Sequence, residues 1–339
     1  MSDRLTDPSE LAEALMRGER RALARAITLI ESTRPDHRRD ARALLDRIGQ
    51  TGATGPGAAR RIGLSGTPGV GKSTFIEEFG MMLAGQGLKV AVLAVDPSSA
   101  RSGGSILGDK TRMERLTRHP NAFIRPSPSQ SELGGVGRRT RETIRLVEAA
   151  GFDVVLVETV GVGQSETLVA DMTDLFLLLL APAGGDELQG VKRGIMEIAD
   201  LIVVNKADGA LEAVARATCS DYAGALRLIR KREGDKPGFP VALTASALTG
   251  AGLEEVWQKL TELDDWRRET GWWQKRREAQ ATLWLRRALE RGVIEALHAD
   301  PQVAAAMPAL QADVADQTLA PELAADRLLA LFRGDGTAG

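Results

Sequence analysis

One run of eight residues, GTPGVGKS at positions 66 to 73, constrains the fold of this chain more than any other feature. It fits the pattern G-x-x-x-x-G-K-[ST] at every fixed position, which is typical of a phosphate-binding loop. Glycines let the backbone adopt φ values closed to other residues, so successive N–H groups can converge on phosphate oxygens. Lys72 adds a positive charge for the β- and γ-phosphates, and Ser73 offers a hydroxyl to Mg²⁺. The predicted phosphate contacts in this run and just after it are Gly66, Thr67, Pro68, Gly69, Val70, Gly71, Lys72, Ser73 and Thr74.

The residues on either side of this run fit a strand and a helix. Residues 61 to 65 form a short apolar stretch, and residues 74 to 83 place their apolar side chains on one helical face. The N-terminus of such a helix directs its positive end toward a bound anion. A glycine-rich turn without a ligand is the structural alternative, but the order strand, loop, helix favours a phosphate site.

Apolar runs of strand length alternate with helix-length segments over residues 58 to 262. The predicted strands cover residues 61 to 65, 89 to 95, 122 to 125, 153 to 158, 174 to 181, 200 to 204 and 240 to 244. Several are nearly continuous in Val, Leu and Ile, as in strands buried on both faces of a parallel sheet. The predicted fold class is therefore α/β, with a mostly parallel sheet between helices. We expect the loops that carry residues 66 to 73, Asp96, Glu158 and Asn205 to meet beyond the carboxyl ends of the strands.

Three domains are predicted: a helical extension with its linker over residues 1 to 57, the sheet domain over 58 to 262, and a helical region over 263 to 339. The linker is marked by Gly and Pro at residues 51 to 57. Trp266, Trp272, Trp273 and Trp284 fall in one Arg-rich helical stretch. They fit a core beneath the sheet or a subunit interface, where Trp and Arg are enriched, and both interpretations stay open.

Composition excludes several classes of function. A net charge of −2 gives no broad field for nucleic acid or an anionic membrane. With Cys219 as the only cysteine, no intramolecular disulfide and no multi-cysteine metal site can form. The longest apolar run, residues 175 to 181, is too short to span a bilayer, and the N-terminus lacks the apolar segment of a signal peptide. We expect a soluble, cytoplasmic protein with neither a nucleic-acid nor a membrane partner.

The sequence Asn205-Lys206-Ala207-Asp208 fits N-K-x-D and follows a predicted strand. An aspartate there accepts hydrogen bonds from the N1–H and exocyclic amine of guanine, whereas adenine offers no such pair of donors. Alone, the match is weak, because a polar loop whose lysine lies along apolar surface has the same pattern. Together with the phosphate loop and a Ser-Ala-Leu run after another predicted strand, it indicates GTP or GDP. The predicted guanine contacts are Asn205, Lys206, Asp208, Ser246, Ala247 and Leu248.

Glu158-Thr159-Val160-Gly161 occupies the place of the D-x-x-G element of GTPases. In that element the carboxylate reaches Mg²⁺ and the glycine N–H contacts the γ-phosphate, so Gly161 joins the predicted phosphate contacts. The predicted metal ligands are Ser73, Asp96, Asp109 and Glu158. The structural alternatives are a turn at a strand end for Asp96 and a helix N-cap for Asp109.

Val162 stands where many GTPases carry the glutamine that orients the attacking water. Gln164 is two residues further on, and Lys192 lies in a glycine-rich polar segment over residues 184 to 193. That segment is either a plain surface loop or a loop whose conformation follows the nucleotide state. We therefore predict Lys72, Lys192 and Gln164 as catalytic residues, and slow hydrolysis until another loop or a partner completes the site.

Three segments, residues 96 to 99, 102 to 113 and 158 to 166, resemble the MeaB/ArgK/MMAA family of GTPases, and the resemblance extends over residues 8 to 333. It looks especially like the bacterial MeaB type. The family consists of G-protein chaperones of adenosylcobalamin-dependent methylmalonyl-CoA mutase. The resemblance implies a GTPase domain of the SIMIBI class, an N-terminal helical extension and a C-terminal arm that forms a homodimer. It also implies Mg²⁺ as cofactor, with Asp96, Asp109 and Glu158 as its carboxylates.

The same resemblance implies that GTP binding and hydrolysis gate the loading of the cobalamin and protect the mutase from inactivation. A third switch, which relays the nucleotide state to the mutase, is implied at about residues 184 to 192. Older naming linked some members to arginine transport as a kinase, but Asp208 favours guanine and no acceptor site is visible. A metallochaperone GTPase that delivers a transition metal is the alternative function. One cysteine and three dispersed histidines, His37, His119 and His298, disfavour it.

Overall fold

A computed structural model describes residues 7–50, 59–95, 113–125, 133–159, 165–182, 193–229 and 231–334 of the chain. Its centre is a seven-stranded sheet in the order β3-β2-β4-β1-β5-β6-β7, and every neighbouring pair is parallel. The strands are β1 (Arg60–Gly66), β2 (Val90–Val95), β3 (Ala122–Arg125), β4 (Val154–Thr159), β5 (Leu175–Leu180), β6 (Leu201–Val204) and β7 (Val241–Thr244). The α/β prediction with a parallel sheet is confirmed.

Burial on both faces explains why the apolar runs become strands. Every residue of β4, β5 and β6 is buried. Every strand except β3 differs from its predicted bounds by one residue at one or both ends, and β4 continues past Glu158 to Thr159. Glu158 is thus a strand residue, not a loop residue. Its neighbour Thr159 is fully buried, so the chain has not yet left the sheet at this point.

Helices cover both faces of the sheet. Ile62 and Leu64 of β1 belong to a core cluster with Phe75 and Phe79, whereas Gly63 between them faces Val169 on the other side. This alternation is the period of two expected for a strand. The helices around the sheet are α4 (Lys72–Gly85), α5 (Glu114–Arg118), α6 (Leu133–Ala149), α7 (Ser165–Ala170), α8 (Arg193–Ile198), α9 (Glu212–Leu228) and α10 (Leu253–Glu269), with a 3₁₀ turn at Gly209–Leu211.

Three helices precede the sheet: α1 (Pro8–Met16), α2 (Arg20–Glu31) and α3 (Pro35–Gln50). They pack on one another and on α6. Their buried apolar residues include Leu11, Leu15, Leu23, Ile27, Ile30, Leu44 and Ile48. Arg20 donates to the carbonyl oxygens of Pro120, at 3.1 Å, and Ala122, at 2.5 Å. Arg125 of β3 forms an ion pair with Glu31. The helical extension is thereby fastened to the edge strand of the sheet.

Contacts between α-carbons divide the chain into two compact units, Met1–Arg276 and Arg277–Gly339. Within the first unit, Trp273 is buried and Trp266 packs against the core cluster. The centroid of the Trp272 ring lies 4.5 Å from the guanidinium carbon of Arg267. These contacts favour the core interpretation for these three tryptophans. The remaining helices are α11 (Trp272–Ala299), α12 (Pro301–Ala315) and α13 (Pro321–Arg333).

The predicted limit at residue 262 falls inside α10, and the predicted domain limits stay predictions. In the second unit, Val303 and Ala324 are buried between the short helices α12 and α13, which pack on each other. Within the described ranges, none of the helices combines the length and apolarity that crossing a bilayer requires.

Candidate functional site

The loop between β1 and α4 has the backbone geometry that its glycines predict. Gly69 and Gly71 have φ values of 80° and 90°, in the left-handed region that favours glycine. A Cβ on Gly66 would lie 2.5 Å from the carbonyl oxygen of Leu179 on the neighbouring strand β5. The helix then begins at once, since Phe75 N–H donates to the carbonyl oxygen of Gly71 at 2.9 Å. Larger side chains are therefore excluded where the loop turns.

A cavity of about 480 Å³ opens at this loop. Its volume lies within the range of small-molecule sites, roughly 300 to 1,000 Å³. The lining residues are Thr67, Pro68, Gly69, Gly71, Lys72, Ser73, Thr74, Ala94, Val95, Glu158 and Thr159. They come from the loop and from the carboxyl ends of β2 and β4, so the predicted meeting of strand ends brings Glu158 to the phosphate loop.

Lys72 closes the loop on itself, because its Nζ donates to the carbonyl oxygen of Gly66 at 2.6 Å. Burial lowers the pKa of Lys72, while the carboxylates of Glu158 and, more weakly, Glu166 act in the opposite direction. The ammonium group thus lies in a partly buried environment where two carboxylates favour its positive charge. Such a group is suited to bind anionic oxygens that enter the cavity.

Glu158 and Ser73 are the two predicted metal ligands inside the described ranges, and both line the cavity. The side chain of Glu158 is largely buried, with the residue 7% exposed. A carboxylate and a hydroxyl beside a phosphate loop fit Mg²⁺, which is usually held by one or two carboxylates together with substrate phosphates. In the described part of the chain, no cluster of three or more His, Cys, Asp or Glu side chains is arranged to hold a metal.

A buried pair of hydroxyl groups joins the two strands that carry this site. Thr159 Oγ1 donates to Ser65 Oγ at 2.9 Å, and both residues are at most 1% exposed. The pair fixes the end of β4 against the end of β1 just before the phosphate loop. Sequence reasoning missed it because Ser65 precedes the phosphate-loop pattern and Thr159 occupies a variable position of the D-x-x-G element.

Asn205 connects three loops. Its Nδ2 donates to the carbonyl oxygen of Val70 at 3.0 Å, and its Oδ1 accepts from Ala247 N–H at 3.0 Å. Lys206 takes a positive φ of 59°, and its Nζ donates to the carbonyl oxygen of Gly69 at 2.7 Å. The lysine therefore binds the phosphate loop and does not lie along apolar surface. The N-K-x-D segment and the phosphate loop form one hydrogen-bonded unit.

Asp208 lies beside the segment that follows β7. Ser246 Oγ donates to Asp208 Oδ2, and Ala207 N–H donates to the carbonyl oxygen of Ala245 at 3.0 Å. Ser246 and Ala247 are buried, whereas the side chain of Leu248 is 80% exposed. The predicted guanine contacts are thus brought together at the ends of β6 and β7.

Five predicted site residues lie outside the described residues: Asp96, Asp109, Gly161, Gln164 and Lys192. The same holds for Val162 and for the segment over residues 184 to 192. The described histidines behave as local structural groups where they have partners: His37 Nδ1 lies 2.8 Å from Ser32 Oγ, and His119 Nδ1 accepts from Asn121 N–H at 3.2 Å.

Comparison with known proteins identifies the family. The family model described as methylmalonyl-CoA mutase-associated GTPase MeaB matches residues 23–302. The chain belongs to this MeaB family. A Caulobacter vibrioides protein named "Putative GTPase" is 52% identical over 326 residues, covering 96% of this chain and 98% of that protein. The mouse protein named "Methylmalonic aciduria type A homolog, mitochondrial" is 46% identical over 329 residues, covering 95% of this chain and 79% of that protein.

A crystal structure named for an LAO/AO transport system kinase has a TM-score of 0.72 and 38% identity, and the match covers 98% of this chain and 99% of that one. The resemblance inferred from the three motif segments is thereby confirmed, and so is the P-loop GTPase fold of the SIMIBI class. Membership of the MeaB family also gives the enzyme class, since its members are named as GTP hydrolases.

Proposed function

We propose that this protein binds GTP at the carboxyl edge of its sheet and uses GTP hydrolysis as a chaperone of methylmalonyl-CoA mutase. In this role it gates the loading of adenosylcobalamin and protects the mutase from inactivation. The observation that carries the nucleotide part is the hydrogen-bonded unit in which Asn205 and Lys206 both bind carbonyl oxygens of the phosphate loop. The family description carries the mutase part.

In the proposed site, the phosphate loop provides its backbone N–H groups and Lys72 provides the charge. Lys72 already donates to the carbonyl oxygen of Gly66, and it can direct its other N–H groups to the β- and γ-phosphates. Gly161 adds a contact to the γ-phosphate in the same proposal. The buried hydroxyl pair of Ser65 and Thr159 holds the phosphate loop and the end of β4 at a fixed separation.

Ser73 and Glu158 would hold Mg²⁺, with Asp96 and Asp109 as the further proposed carboxylates. Mg²⁺ held by these residues would supply positive charge that neutralises negative charge on the phosphate oxygens. Glu158 is suited to this role because its strand brings its carboxylate into the cavity beside Ser73.

Asp208 would read the base. Its Oδ2 accepts from Ser246 Oγ, which orients the carboxylate, and the carboxylate then accepts from the two guanine donors. Lys206, fastened to the phosphate loop, keeps the base-reading segment at a constant distance from the phosphates. The proposed specificity for guanine therefore depends on the same contacts that hold the two loops together.

The proposed site lacks a residue at position 162 that could orient the attacking water. Val162 has no polar group to orient it, so hydrolysis is expected to be slow until the mutase binds. Gln164 and Lys192 are the proposed residues that complete the site in the complex.

A homodimer is proposed through the C-terminal helices, because Leu285, Leu289 and Val293 of α11 are 51% to 71% exposed.

The base-reading role is tested with Asp208→Asn. The amide can donate to the xanthine carbonyl but cannot accept from both guanine donors, so we expect GTP affinity to fall by about 100-fold or more and XTP affinity to rise. Calorimetric titration of GTP and XTP measures both. The matched control is Asp221→Asn, which makes the same change at an exposed position of α9. Unchanged preference for GTP would refute the assignment of Asp208.

The partner is tested by measuring phosphate release with and without methylmalonyl-CoA mutase. A partner that completes an unfinished site is expected to raise the rate by about tenfold or more. Bovine serum albumin at the same concentration serves as the control for non-specific stabilisation. A rate that does not respond to the mutase would contradict the chaperone role and leave the nucleotide site itself unaffected.

A further inference from the structure

Glu166 is a buried acid beside the phosphate loop for which the site described so far has no use. It is the second residue of α7 and 3% exposed. Val169, one helical turn later, packs over Gly63, where an added Cβ would lie 2.9 Å from Val169 Cγ1. Because α7 connects two parallel strands, it runs back toward their amino ends, and Glu166 lies about 4.5 Å nearer the carboxyl edge than Val169. Glu166 is thus at the end of α7 that faces the phosphate loop.

One carboxylate oxygen of Glu166 has been left without a donor. Among the described residues, no group donates a hydrogen bond to its Oε2, although this atom is buried from solvent. A buried polar atom without a partner lowers stability, so such atoms are rare and call for an explanation. The hydrogen bonds of the described residues therefore do not account for this carboxylate oxygen.

Glu166 is one of two carboxylates that favour the charged form of Lys72. Burial lowers the pKa of Lys72, and the carboxylates of Glu158 and Glu166 oppose this effect. The described residues that line the cavity include Glu158 and Lys72 but not Glu166. Glu158 is a proposed magnesium ligand, and its charge is compensated when the metal is bound. Glu166 does not line the cavity and is not a proposed magnesium ligand, so a bound metal ion would not compensate its charge.

We propose that Glu166 is a positioning residue that acts through Lys72 and limits how strongly the loop holds the terminal phosphates. This inference rests on the proposed function, because it assumes that Lys72 binds the β- and γ-phosphates. A carboxylate near Lys72 attracts the ammonium group and repels the phosphates. The repulsion is greater for GTP than for GDP, since GTP carries one more phosphate group. Glu166 therefore lowers the preference of the site for GTP over GDP.

The test compares Glu166→Gln with the wild-type protein. The amide keeps the size of the side chain and removes its charge. Dissociation constants for GDP and for a non-hydrolysable GTP analogue are measured by calorimetry in the presence of Mg²⁺. We expect the constant to fall by about tenfold for the GTP analogue and by about threefold for GDP, so that their ratio changes.

Two further variants make the result interpretable. Glu166→Asp keeps the charge but moves it further from Lys72, because the side chain is one methylene shorter. Its ratio of dissociation constants should lie between those of the wild type and Glu166→Gln. Glu114→Gln makes the same change of net charge at a side chain that is 64% exposed and paired with Arg118 on the surface. Both dissociation constants of this control should stay within about twofold of wild type.

An unchanged ratio of the two constants in folded Glu166→Gln, checked by circular dichroism, would overturn the inference. If that variant does not fold, Glu166→Asp decides, and a wild-type ratio refutes the role. A purely structural role would weaken both nucleotides equally. Lys72→Ala separates this failure from failure of the proposed function: if it retains wild-type affinity for GTP, the phosphate site itself is wrong.

Discussion

At the amino ends of β5 and β6, buried charged side chains bind one another, whereas at the carboxyl ends of the neighbouring strands charged side chains line a cavity. Arg267 donates to both oxygens of Asp200, at 2.6 and 3.1 Å, and Arg232 donates to the same carboxylate at 2.7 Å. At the opposite edge, Lys72 donates to a backbone carbonyl oxygen of its own loop. Oε2 of Glu166 has no donor among the described residues there.

In the proposed function, this difference separates charges that stabilise the fold from charges that bind a ligand. Asp200 is also tied to the sheet, since its Oδ2 accepts from Phe176 N–H at 2.8 Å. Arg61 and Glu148 form a second buried pair near the same edge, with an N–O distance of 2.6 Å. Each of these charges has its compensation within the protein. At the carboxyl edge the compensation is incomplete, and anionic phosphates with their metal ion are the proposed completion.

The strongest way to break this comparison is Arg267→Ala. Removing one partner leaves Asp200 buried with less compensation, and such a loss costs about 3–5 kcal/mol of folding free energy. Arg267 also donates to the carbonyl oxygens of Gly234 and Asp174, which would lose these bonds. Urea denaturation followed by circular dichroism measures the change in the free energy of unfolding.

The matched control is Lys275→Ala, whose pair with Glu233 is exposed by 65% and 74%. An exposed pair of this kind contributes about 1 kcal/mol or less. Glu166→Gln at the other edge should change the free energy of unfolding far less than Arg267→Ala, because Oε2 of Glu166 has no donor among the described residues to lose. If Arg267→Ala lowered the free energy of unfolding no more than Lys275→Ala, the buried pairs of the amino edge would not stabilise the fold.

The sequence predicts the carboxyl edge far better than the amino edge, and the reason is physical. Phosphate and guanine binding require fixed residue types at short spacing, so residues 66 to 73 and the segment Asn205 to Asp208 form patterns. Asp200 and Arg267 are 67 residues apart and belong to no pattern. Any cationic side chain that the packing of α10 placed at this point could compensate the charge of Asp200. The sequence therefore does not indicate which residue is its partner.

The strands were predictable because burial on both faces demands continuous apolar residues, as in β5. The last residue of β4, Thr159, was not predictable, because its side chain is polar. Thr159 stays in the sheet through its hydrogen bond to Ser65, which lies 94 residues earlier in the chain. The link from Asn205 to Val70 spans 135 residues and was likewise not predicted. Only the base-reading role of that segment follows from its pattern.

A smaller effect, from pH, sharpens the comparison at the amino edge. Burial alone would raise the pKa of Asp200, but the positive charges of Arg267 and Arg232 outweigh it and lower the pKa to about 2. In the unfolded chain an aspartate has a pKa of about 3.9. The unfolded state therefore binds the proton first, and the stability that Asp200 contributes is complete above pH ~4 and is lost as the pH falls through ~2.

Between pH 5 and pH 3 this loss amounts to about 1 kcal/mol. Urea denaturation at the two pH values gives the change in the free energy of unfolding between pH 5 and pH 3. This change is measured for the wild type and for Asp200→Asn, and the two changes are compared. Other carboxyl groups with shifted pKa values, such as Asp36, titrate in both proteins and cancel. The variant should lose less stability on acidification than the wild type, because it has no carboxylate at this position to protonate. Equal losses in the two proteins would mean that Arg267 and Arg232 do not hold Asp200 ionised, and that the amino edge is not stabilised by paired charge.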